Sequence, residues 1–264
     1  LVLDLGAGPG QATIELKRRY KSSQVMALDV AEGMLREARH RQTLLWRFQR
    51  VCADAAALPV RDGTADLVFS NLMLQWCNEP DAVFRECRRV LKPGGLLTFT
   101  TFGPDTLRRA WAAADGRTHV NRFIDMHDLG DALLRAGLAE PVMDVERYTL
   151  TYAEVRDLMR DLKAIGARNA NAGRPRGLTG KQALATMLAA YETLRRDGRL
   201  PATFEVVEGA TPVIEAKRRV EDFLAPVGRG TQSSAFAEVE LAFSDEAAQQ
   251  EAEHAEFADR ARRD

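Results

Sequence analysis

The sequence predicts an α/β protein with a mostly parallel sheet and helices on both faces of that sheet. Short apolar segments alternate with helix-like segments through the first half of the chain, and Gly, Pro and Asn residues separate them. This alternation is typical of successive β-α-β units. The chain has 264 residues, of which 45% are hydrophobic and 28% are charged. A chain of this length and composition can form one α/β domain with an addition, or two small domains.

The apolar pattern predicts the elements in order along the chain. Five strands should cover residues 1–5, 24–30, 50–54, 65–71 and 95–102, with helices over 11–20, 31–41 and 80–91. The Lys-Pro-Gly-Gly segment at 92–95 should end the third helix, because Pro cannot continue a helix and Gly accepts a tight reversal. A helix over 127–136 and strands over 141–150 and 202–209 complete the predicted sheet.

The order of these elements predicts four regions. A core should cover residues 1–150, a small helical cap should cover 151–200, the final core strand should cover 201–211, and a peripheral tail should cover 212–264. The cap holds ten Lys and Arg residues against five Asp and Glu residues, a net charge of about +5. That surplus fits either a solvated helical surface or a docking surface for an acidic partner.

Composition excludes several classes of function. The net charge of −1 provides no overall basic field of the kind that attracts nucleic acid. The three cysteines form no C-x-x-C pair, which argues against a disulfide framework and a zinc site and favours the reducing cytoplasm. No apolar run approaches the roughly 18 residues of a membrane-spanning helix. Because Leu1 opens directly into a strand pattern, we expect further sequence upstream.

A glycine-rich turn between the first strand and first helix is the most informative segment. The sequence Leu-Asp-Leu-Gly-Ala-Gly-Pro-Gly at 3–10 places three glycines where a bound molecule can approach the main chain closely. Asp29 follows Gly10 by nineteen residues and ends the next strand, where a carboxylate can accept the hydroxyls of a ribose. The two features predict a nucleoside-containing ligand at the carboxyl edge of the sheet.

The spacing of the glycines distinguishes two such ligands. Dinucleotide-binding turns have the pattern G-x-G-x-x-G, whereas this chain has G-x-G-x-G. Asp4 precedes the glycines and Asp54 follows the third strand. A carboxylate is favourable beside a cationic ligand and unfavourable beside a pyrophosphate, which favours S-adenosylmethionine over NAD. An NAD-dependent oxidoreductase is therefore a disfavoured alternative.

Residues 1–102 resemble the class I S-adenosylmethionine-dependent methyltransferases, a Rossmann-like family. The segments LDLGAGPG, ALDV, ADAAALP, DLVFSNLMLQW and LKPGGLLTFTTF carry the resemblance. It implies that the glycine turn backs the methionine part of the cofactor, that Asp29 holds the ribose and that Asp54 lies near the adenine. The cofactor-binding residues expected from the turn and the resemblance are Asp4, Gly6, Ala7, Gly8, Gly10, Asp29, Val30, Asp54, Ala55 and Asn71; no metal is expected.

Further segments, over about residues 1–209, resemble a narrower family, the malonyl-acyl-carrier-protein O-methyltransferases of biotin synthesis. They include TTFGPDTL, HVNRFIDMHDLGDALLRAGL, LTYAEVRDLMRDLKAIGARN and DGRLPATFEVV. The resemblance implies methyl transfer to the free carboxylate of a malonyl thioester. Such a carboxylate is already ionised at neutral pH, so the reaction needs in-line positioning but no general base.

A cation that selects the substrate carboxylate is the remaining requirement of this chemistry. Arg122 is the candidate, because a guanidinium binds a carboxylate through two parallel hydrogen bonds; a structural salt bridge is its alternative role. Malonyl-acyl carrier protein is the expected partner, and the acidic carrier would dock on the basic cap. The oligomeric state is not predicted.

Two alternatives to this function stay open at the level of sequence. The FG-x-DTL and DLG-x-x-LL-RAG features at 102–107 and 128–137 also resemble a complex I assembly factor that hydroxylates an arginine. The HVNRFIDMHD segment at 119–128 favours the biotin family instead. The other alternative is a noncatalytic module that binds the cofactor or the carrier protein. Methyl transfer would distinguish an enzyme from such a module.

Overall fold

A computed structural model describes residues 1–107, 123–164 and 181–213. Its described strands form one seven-stranded sheet in the order β3-β2-β1-β4-β5-β7-β6. The strands are β1 (Val2–Leu5), β2 (Val25–Asp29), β3 (Gln49–Cys52), β4 (Ala65–Ser70), β5 (Leu91–Phe102), β6 (Val142–Tyr152) and β7 (Leu200–Pro212). The described helices are α1 (Gln11–Arg19), α2 (Glu32–His40), α3 (Pro80–Val90), α4 (Met126–Arg135), α5 (Val155–Ala164) and α6 (Lys181–Glu192).

Parallel pairing links the first five strands, and β7 joins β5 in the antiparallel direction. The chain passes from β1 to β2 and β3 on one side and then returns to β4 on the other side of β1. In sheets with this reversal, ligands bind at the carboxyl ends of the strands beside the reversal. The predicted α/β class is confirmed, and the β1 and β4 ends are where a site is expected.

Helices cover both faces of the sheet because successive strand residues point to opposite faces. Val2 packs in a buried cluster with Ile14 of α1 and Leu35 of α2. Leu3, the next residue, packs in a second buried cluster with residues of α3 and α4, such as Phe84. The β1 residues are all buried, as expected for a central strand of a doubly covered sheet.

Local sequence determines where the helices begin and end. Pro80 occupies the first turn of α3, where a missing N–H has no consequence. Asp125 caps α4, and its side chain accepts a hydrogen bond from the His127 main-chain N–H at 2.9 Å. The glycine after α4, Gly137, has a φ of +79°, and this left-handed position is typical of a helix end.

The largest difference from the predicted boundaries is at the start of β5. β5 begins at Leu91, directly after α3, and the Lys-Pro-Gly-Gly segment lies inside the strand as an irregularity. Ala65 of β4 pairs with Leu91 and Leu67 pairs with Leu96, so four residues of β5 lie opposite a single residue of β4 and the strand bulges there. Val213 exchanges hydrogen bonds with the two glycines of this bulge at 2.6 and 2.9 Å. These bonds satisfy main-chain groups that the interrupted pairing leaves free.

Two compact units divide the chain. The described residues of the first unit are 1–106, 123–148 and 204–213, and those of the second are 107, 149–164 and 181–203. The second unit contains α5 and α6, so the segment 151–200, predicted to be helical, does contain helices. Their arrangement as a cap and the four predicted region boundaries stay predictions. Most of the predicted C-terminal tail lies outside the described residues.

Candidate functional site

The chain leaves β1 in a turn that contains three glycines with left-handed main-chain angles. The φ angles are +76° at Gly6, +52° at Gly8 and +85° at Gly10. Glycine adopts this region without the steric cost that a Cβ atom imposes. The Gly6 and Ala7 N–H groups both donate to the Leu28 carbonyl, at 2.8 and 3.0 Å, which fixes the turn to the end of β2.

The space around the three glycines differs. A Cβ atom on Gly6 would overlap the Met73 side chain, and one on Gly10 would lie 2.8 Å from the Ala38 Cβ atom. A Cβ atom on Gly8 would meet no described atom within 4 Å. The main chain at Gly8 is therefore open, and a ligand can approach it there closely.

Asp29 connects the glycine turn to the beginning of α2. One carboxylate oxygen accepts the Gly8 main-chain N–H at 2.8 Å, and the other accepts the Ala31 N–H at 2.7 Å. The side chain is half-buried at the end of β2. Its two oxygens have further lone pairs, so the carboxylate can also accept hydroxyl groups of a ligand at this edge.

Asp4 lies beneath the glycine turn with only 1% of its surface exposed. The Thr13 hydroxyl of α1 donates a hydrogen bond to its carboxylate. Burial raises the pKa of Asp4 to about 7, with a smaller contribution from the negative charge of Asp29, while the bond from Thr13 lowers it. Asp4 thus ties β1 to α1 at the base of the turn.

The ends of β2 and β3 lie side by side, because Asp29 pairs with Cys52. Val30, directly after β2, is an apolar side chain that is 74% exposed. Asp54 is exposed after β3, and its carboxylate accepts the Ala56 main-chain N–H at 2.9 Å. An exposed apolar side chain beside an exposed carboxylate can receive the flat face and the polar edge of a purine.

Contacts with β5 hold the segment that follows β4. The Thr100 hydroxyl donates to the Asn71 side-chain oxygen, and the Leu72 N–H donates to the Thr100 carbonyl at 3.1 Å. Leu72 has a φ of +48°, a strained conformation for a residue with a branched side chain. This conformation turns the chain so that Met73 lies against Gly6.

Two features of this site are not evident from the sequence. The first is that Met73 closes the space beside Gly6, because no sequence pattern predicts that these two turns, which are distant along the chain, contact each other. The second feature is that two residues of α3 bind the loop that follows Asp54. Arg89 donates to the carbonyls of Val60 and Leu58 at 2.8 and 2.9 Å. Glu86 accepts the Leu58 N–H at 2.7 Å. The spacing of Glu86 and Arg89, three residues apart on one helix, predicts that they pair with each other. It does not predict that they bind the loop.

The structure therefore brings together all ten predicted cofactor residues at or beside the carboxyl ends of β1 to β4. Their contact with a cofactor stays a prediction. Arg122 lies outside the described residues, so its role as a carboxylate clamp is also still a prediction. In the described part of the chain, no group of three His, Cys, Asp or Glu side chains is placed to hold a metal. No helix within the same residues has the length and apolarity needed to cross a membrane.

The Cys77 thiol, beside this edge, is not activated. Burial, and to a smaller degree the charge of Asp54, raises the pKa of Cys77 to about 11. Its thiol donates to the Met73 sulfur at 3.3 Å. A protonated thiol is a weak nucleophile, so Cys77 is a poor candidate for a nucleophile.

Comparison with known sequences identifies close relatives. Residues 3–99 match the methyltransferase domain family. The chain is 55% identical over 234 residues to malonyl-[acyl-carrier protein] O-methyltransferase of Laribacter hongkongensis, and the match covers 84% of this chain and 79% of that protein. It is 52% identical over 235 residues to the protein of the same name from a Methylovorus species, covering 86% of this chain and 79% of that protein.

Solved structures with the same fold are more distant in sequence. The YcgJ protein of Bacillus subtilis is 18% identical, with a TM-score of 0.53 and coverage of 81% of this chain and 92% of that chain. Phosphoethanolamine N-methyltransferase 2 of Haemonchus contortus, solved with phosphomonomethylethanolamine and S-adenosylhomocysteine, is 18% identical with a TM-score of 0.51. That match covers 80% of this chain and 48% of that one. These two likenesses confirm the methyltransferase fold.

Proposed function

Because the chain belongs to the malonyl-[acyl-carrier protein] O-methyltransferase family, we propose that it methylates the free carboxylate of malonyl-acyl carrier protein in biotin (pimeloyl) synthesis. The observation that carries this proposal is the 55% identity over 84% of the chain. The relatives do not favour the arginine-hydroxylase alternative or the noncatalytic module. A cytoplasmic location is part of the proposal, and the free cysteines Cys52, Cys77 and Cys87 are consistent with it.

The site is suited to S-adenosylmethionine, which supplies a methyl group on a positively charged sulfur. The open main chain at Gly8 can lie against the methionine part of the molecule. Asp29, already fixed by two main-chain N–H groups, can accept the ribose hydroxyls. Val30 and Asp54 can contact the adenine, with Ala55 beside them. Asn71 faces the same edge from the end of β4.

The reaction needs little from the protein beyond binding and orientation. A carboxylate oxygen forms a bond to the methyl carbon while the bond from that carbon to sulfur breaks, and the bonding electrons remain on sulfur. No proton is transferred, because the carboxylate is ionised at neutral pH. The protein must hold the carboxylate in line and remove part of its hydration shell. In this proposal the Arg122 guanidinium selects and holds the carboxylate.

The acyl carrier protein would dock on basic residues of segment 151–200. Arg156 and Arg160 of α5 are exposed, although Asp157 partly neutralises Arg160 at 3.2 Å. Arg199 is exposed and donates to the Thr151 carbonyl. Carrier proteins are strongly acidic, so opposite charge would accelerate encounter between the two proteins.

Transfer of a labelled methyl group from S-adenosylmethionine to malonyl-acyl carrier protein tests the proposal. We expect a base-labile methyl ester on the malonyl group and no label on acetyl-acyl carrier protein, which lacks the carboxylate. Arg122→Ala should lose most of the transfer and keep cofactor binding, whereas Arg18→Ala, which changes an exposed arginine of α1, should behave as the wild type. Cofactor binding with no transfer to the malonyl substrate would contradict the proposed acceptor.

A further inference from the structure

The turn that follows β5, at residues 103–106, is fixed to β7 by one residue, Glu205. The Glu205 carbonyl accepts the Gly103 N–H and the Thr106 hydroxyl, both at 2.9 Å. The Glu205 N–H donates to the Thr106 hydroxyl at 3.1 Å. Its carboxylate accepts the Asp105 N–H at 2.8 Å. The main chain and side chain of Glu205 therefore both hold this turn.

Gly103 provides the space that the Glu205 side chain occupies. A Cβ atom on Gly103 would lie 2.8 Å from both the Cδ and the Cγ atoms of Glu205. Real Cβ atoms do not approach carbon so closely, so any larger residue at 103 would push the carboxylate away from the Asp105 N–H. The glycine is needed here for space, since its φ is not in the left-handed region.

The Glu205 carboxylate is a buried charge with a defined partner. The residue is 6% exposed, and Arg147 donates to its second carboxylate oxygen at 2.9 Å. Arg147 also reaches the Asp105 carboxylate at 3.4 Å. The Arg147 side chain is 58% exposed, so the desolvation cost of the pair falls mainly on Glu205. An apolar residue at 205 would not have that cost, so the buried carboxylate is weak evidence for a purely stabilising role. A requirement for fixed geometry in the turn explains it better.

The order of the strands assigns this turn to one side of the candidate site. The residues expected to hold the cofactor lie at the ends of β1, β2, β3 and β4, whereas the 103–106 turn follows β5 on the other side of β4. β5 is parallel to β4, so the two strands end at the same edge of the sheet. The turn thus lies beside the predicted cofactor-binding residues at that edge and is separate from them.

We propose that Glu205 is a positioning residue for the methyl acceptor. It holds the 103–106 turn in the place from which the malonyl carboxylate is presented to the methyl donor. This inference rests on the proposed function, because it assumes a carboxylate acceptor beside β5. It assigns Glu205 no contact with the reacting atoms: the carboxylate acts through the Asp105 N–H, and Arg147 balances its charge.

Steady-state kinetics with malonyl-acyl carrier protein, together with calorimetric binding of S-adenosylmethionine, tests the role of Glu205. Glu205→Ala and Glu205→Asp should lower kcat/KM for the acceptor at least about tenfold, because small displacements near a reacting centre are costly. The Kd for S-adenosylmethionine should stay within about twofold, since its predicted residues lie on other strands. Glu205→Gln should retain most activity, because its amide oxygen can still accept the Asp105 N–H.

Gly103→Ala tests the same contact from the other side, since it displaces the carboxylate without changing Glu205. It should reproduce the loss of Glu205→Ala. Gly130→Ala in α4 is the matched control, because among the described residues its added Cβ would meet no atom closer than the Met143 sulfur at 3.6 Å. Amide exchange across residues 102–107 should accelerate in Gly103→Ala and Glu205→Ala and not in Gly130→Ala.

The outcomes separate this inference from the proposed function. A folded Glu205→Asp protein with unchanged acceptor kinetics, or one whose affinity for S-adenosylmethionine falls as much as its acceptor kcat/KM, would overturn the positioning role. If Glu205→Ala does not fold, Glu205→Asp and Gly103→Ala decide the question. A wild-type chain that transfers no methyl group would overturn the proposed acceptor and, with it, this role, whatever the variants do.

Discussion

Asp29 and Gly8 are joined by a hydrogen bond of 2.8 Å, from the Gly8 main-chain N–H to an oxygen of the Asp29 carboxylate. Asp29, the residue expected to bind the ribose, is therefore fixed to Gly8, the open point of the glycine turn. Hydrogen bonds to a charged group contribute about 1.5–3 kcal/mol. Asp29→Ala should lose this bond together with the bonds to the ribose.

We predict that Asp29→Ala weakens S-adenosylmethionine binding at least about tenfold, as measured by titration calorimetry. Asp29→Asn should lose less, because its amide oxygen can still accept the Gly8 N–H. Glu32→Ala removes a nearby exposed carboxylate whose partner is Arg36, and it should leave the Kd within about twofold. Equal affinities of wild type and Asp29→Ala would show that this carboxylate does not hold the ligand.

The glycines of the turn should separate stability from ligand binding. An alanine in the left-handed region costs about 1–2 kcal/mol at either Gly6 or Gly8. Gly6→Ala adds overlap with Met73 and should lower the Tm further, whereas Gly8→Ala adds no contact with any described atom and should mainly weaken cofactor binding. Thermal unfolding with and without S-adenosylmethionine measures both effects. A larger loss of Tm in Gly8→Ala than in Gly6→Ala would contradict the conclusion that Gly6 is tightly packed and Gly8 is open.

Asp4 should make the stability of the protein depend on pH. Its pKa rises from 3.8 to about 7 on folding, chiefly because of burial. The folded chain therefore holds a proton that the unfolded chain releases between these two pH values. This contribution to the free energy of unfolding is present below about pH 4 and is lost as the pH rises toward 7. Its size is at most about 4 kcal/mol.

Asp4→Asn measures that contribution, because an amide does not ionise. The free energy of unfolding of the variant, relative to that of the wild type, should increase as the pH rises from about 4 to 7 and then stay level. Urea unfolding at a series of pH values gives the free energy of unfolding of the variant and of the wild type. Thr13→Val is the companion variant: it removes the hydrogen bond that lowers the pKa, so its pH dependence should extend to higher pH. A constant difference between Asp4→Asn and wild type would contradict the raised pKa.

The sequence predicted the sheet and its edge well because both depend on local patterns. Alternating apolar segments identified β1 to β4, and the glycine turn with Asp29 identified the carboxyl edge where their ends meet. The strand order beyond β5, where the antiparallel β7 lies between β5 and β6, depends on long-range pairing that no local pattern records. The same holds for Glu205, which is 100 residues from Asp105 along the chain.

Local rules also failed where tertiary contacts took precedence. Pro93 and its following glycines indicate a break between helix and strand, yet pairing of Leu91 with Ala65 begins β5 before that break. Likewise, Leu72 gives no sign in the sequence of its left-handed angle. Both deviations involve β5, where hydrogen bonds with Val213 and Thr100 stabilise conformations that the local sequence disfavours.

Charge reversal tests the docking of the carrier protein on the basic segment. Changing Arg156, Arg160 and Lys163 together to Glu should lower kcat/KM for malonyl-acyl carrier protein at least about tenfold at low salt, because the reversed surface repels an acidic partner. The difference should shrink at high salt. Activity with malonyl-coenzyme A and the Kd for S-adenosylmethionine should change little.

A second triple reversal, of Arg18, Arg19 and Lys21 at the end of α1, is the matched control. Arg18, Arg19 and Lys21 are exposed, and the change in net charge is the same as in the first triple variant. It should lower kcat/KM for malonyl-acyl carrier protein much less than the reversal on α5 does. Equal effects of the two triple variants would indicate a general charge effect and would contradict a docking surface at this place.

Arg89 should control cofactor affinity from a distance. Its guanidinium donates to the Leu58 and Val60 carbonyls. It also donates to the Glu86 carboxylate, and this hydrogen bonding raises the pKa of Arg89. Through these bonds α3 fixes the loop that begins at Asp54, where the adenine is expected. Arg89→Ala leaves two loop carbonyls without this donor and should lower the Tm by several degrees and raise the Kd for S-adenosylmethionine severalfold. Arg89→Lys keeps the charge but not the forked geometry, so it should restore only part of the affinity.

The matched control for Arg89 is Arg85→Ala, which removes an exposed arginine from the preceding turn of α3. Calorimetry and thermal unfolding should show that Arg85→Ala binds and unfolds as the wild type does. Adenosine alone should report the same loss as S-adenosylmethionine in Arg89→Ala, because the loop contacts only the adenine side in this arrangement. If Arg89→Ala loses stability but binds adenosine with wild-type affinity, Arg89 fastens the loop without setting the position of Asp54.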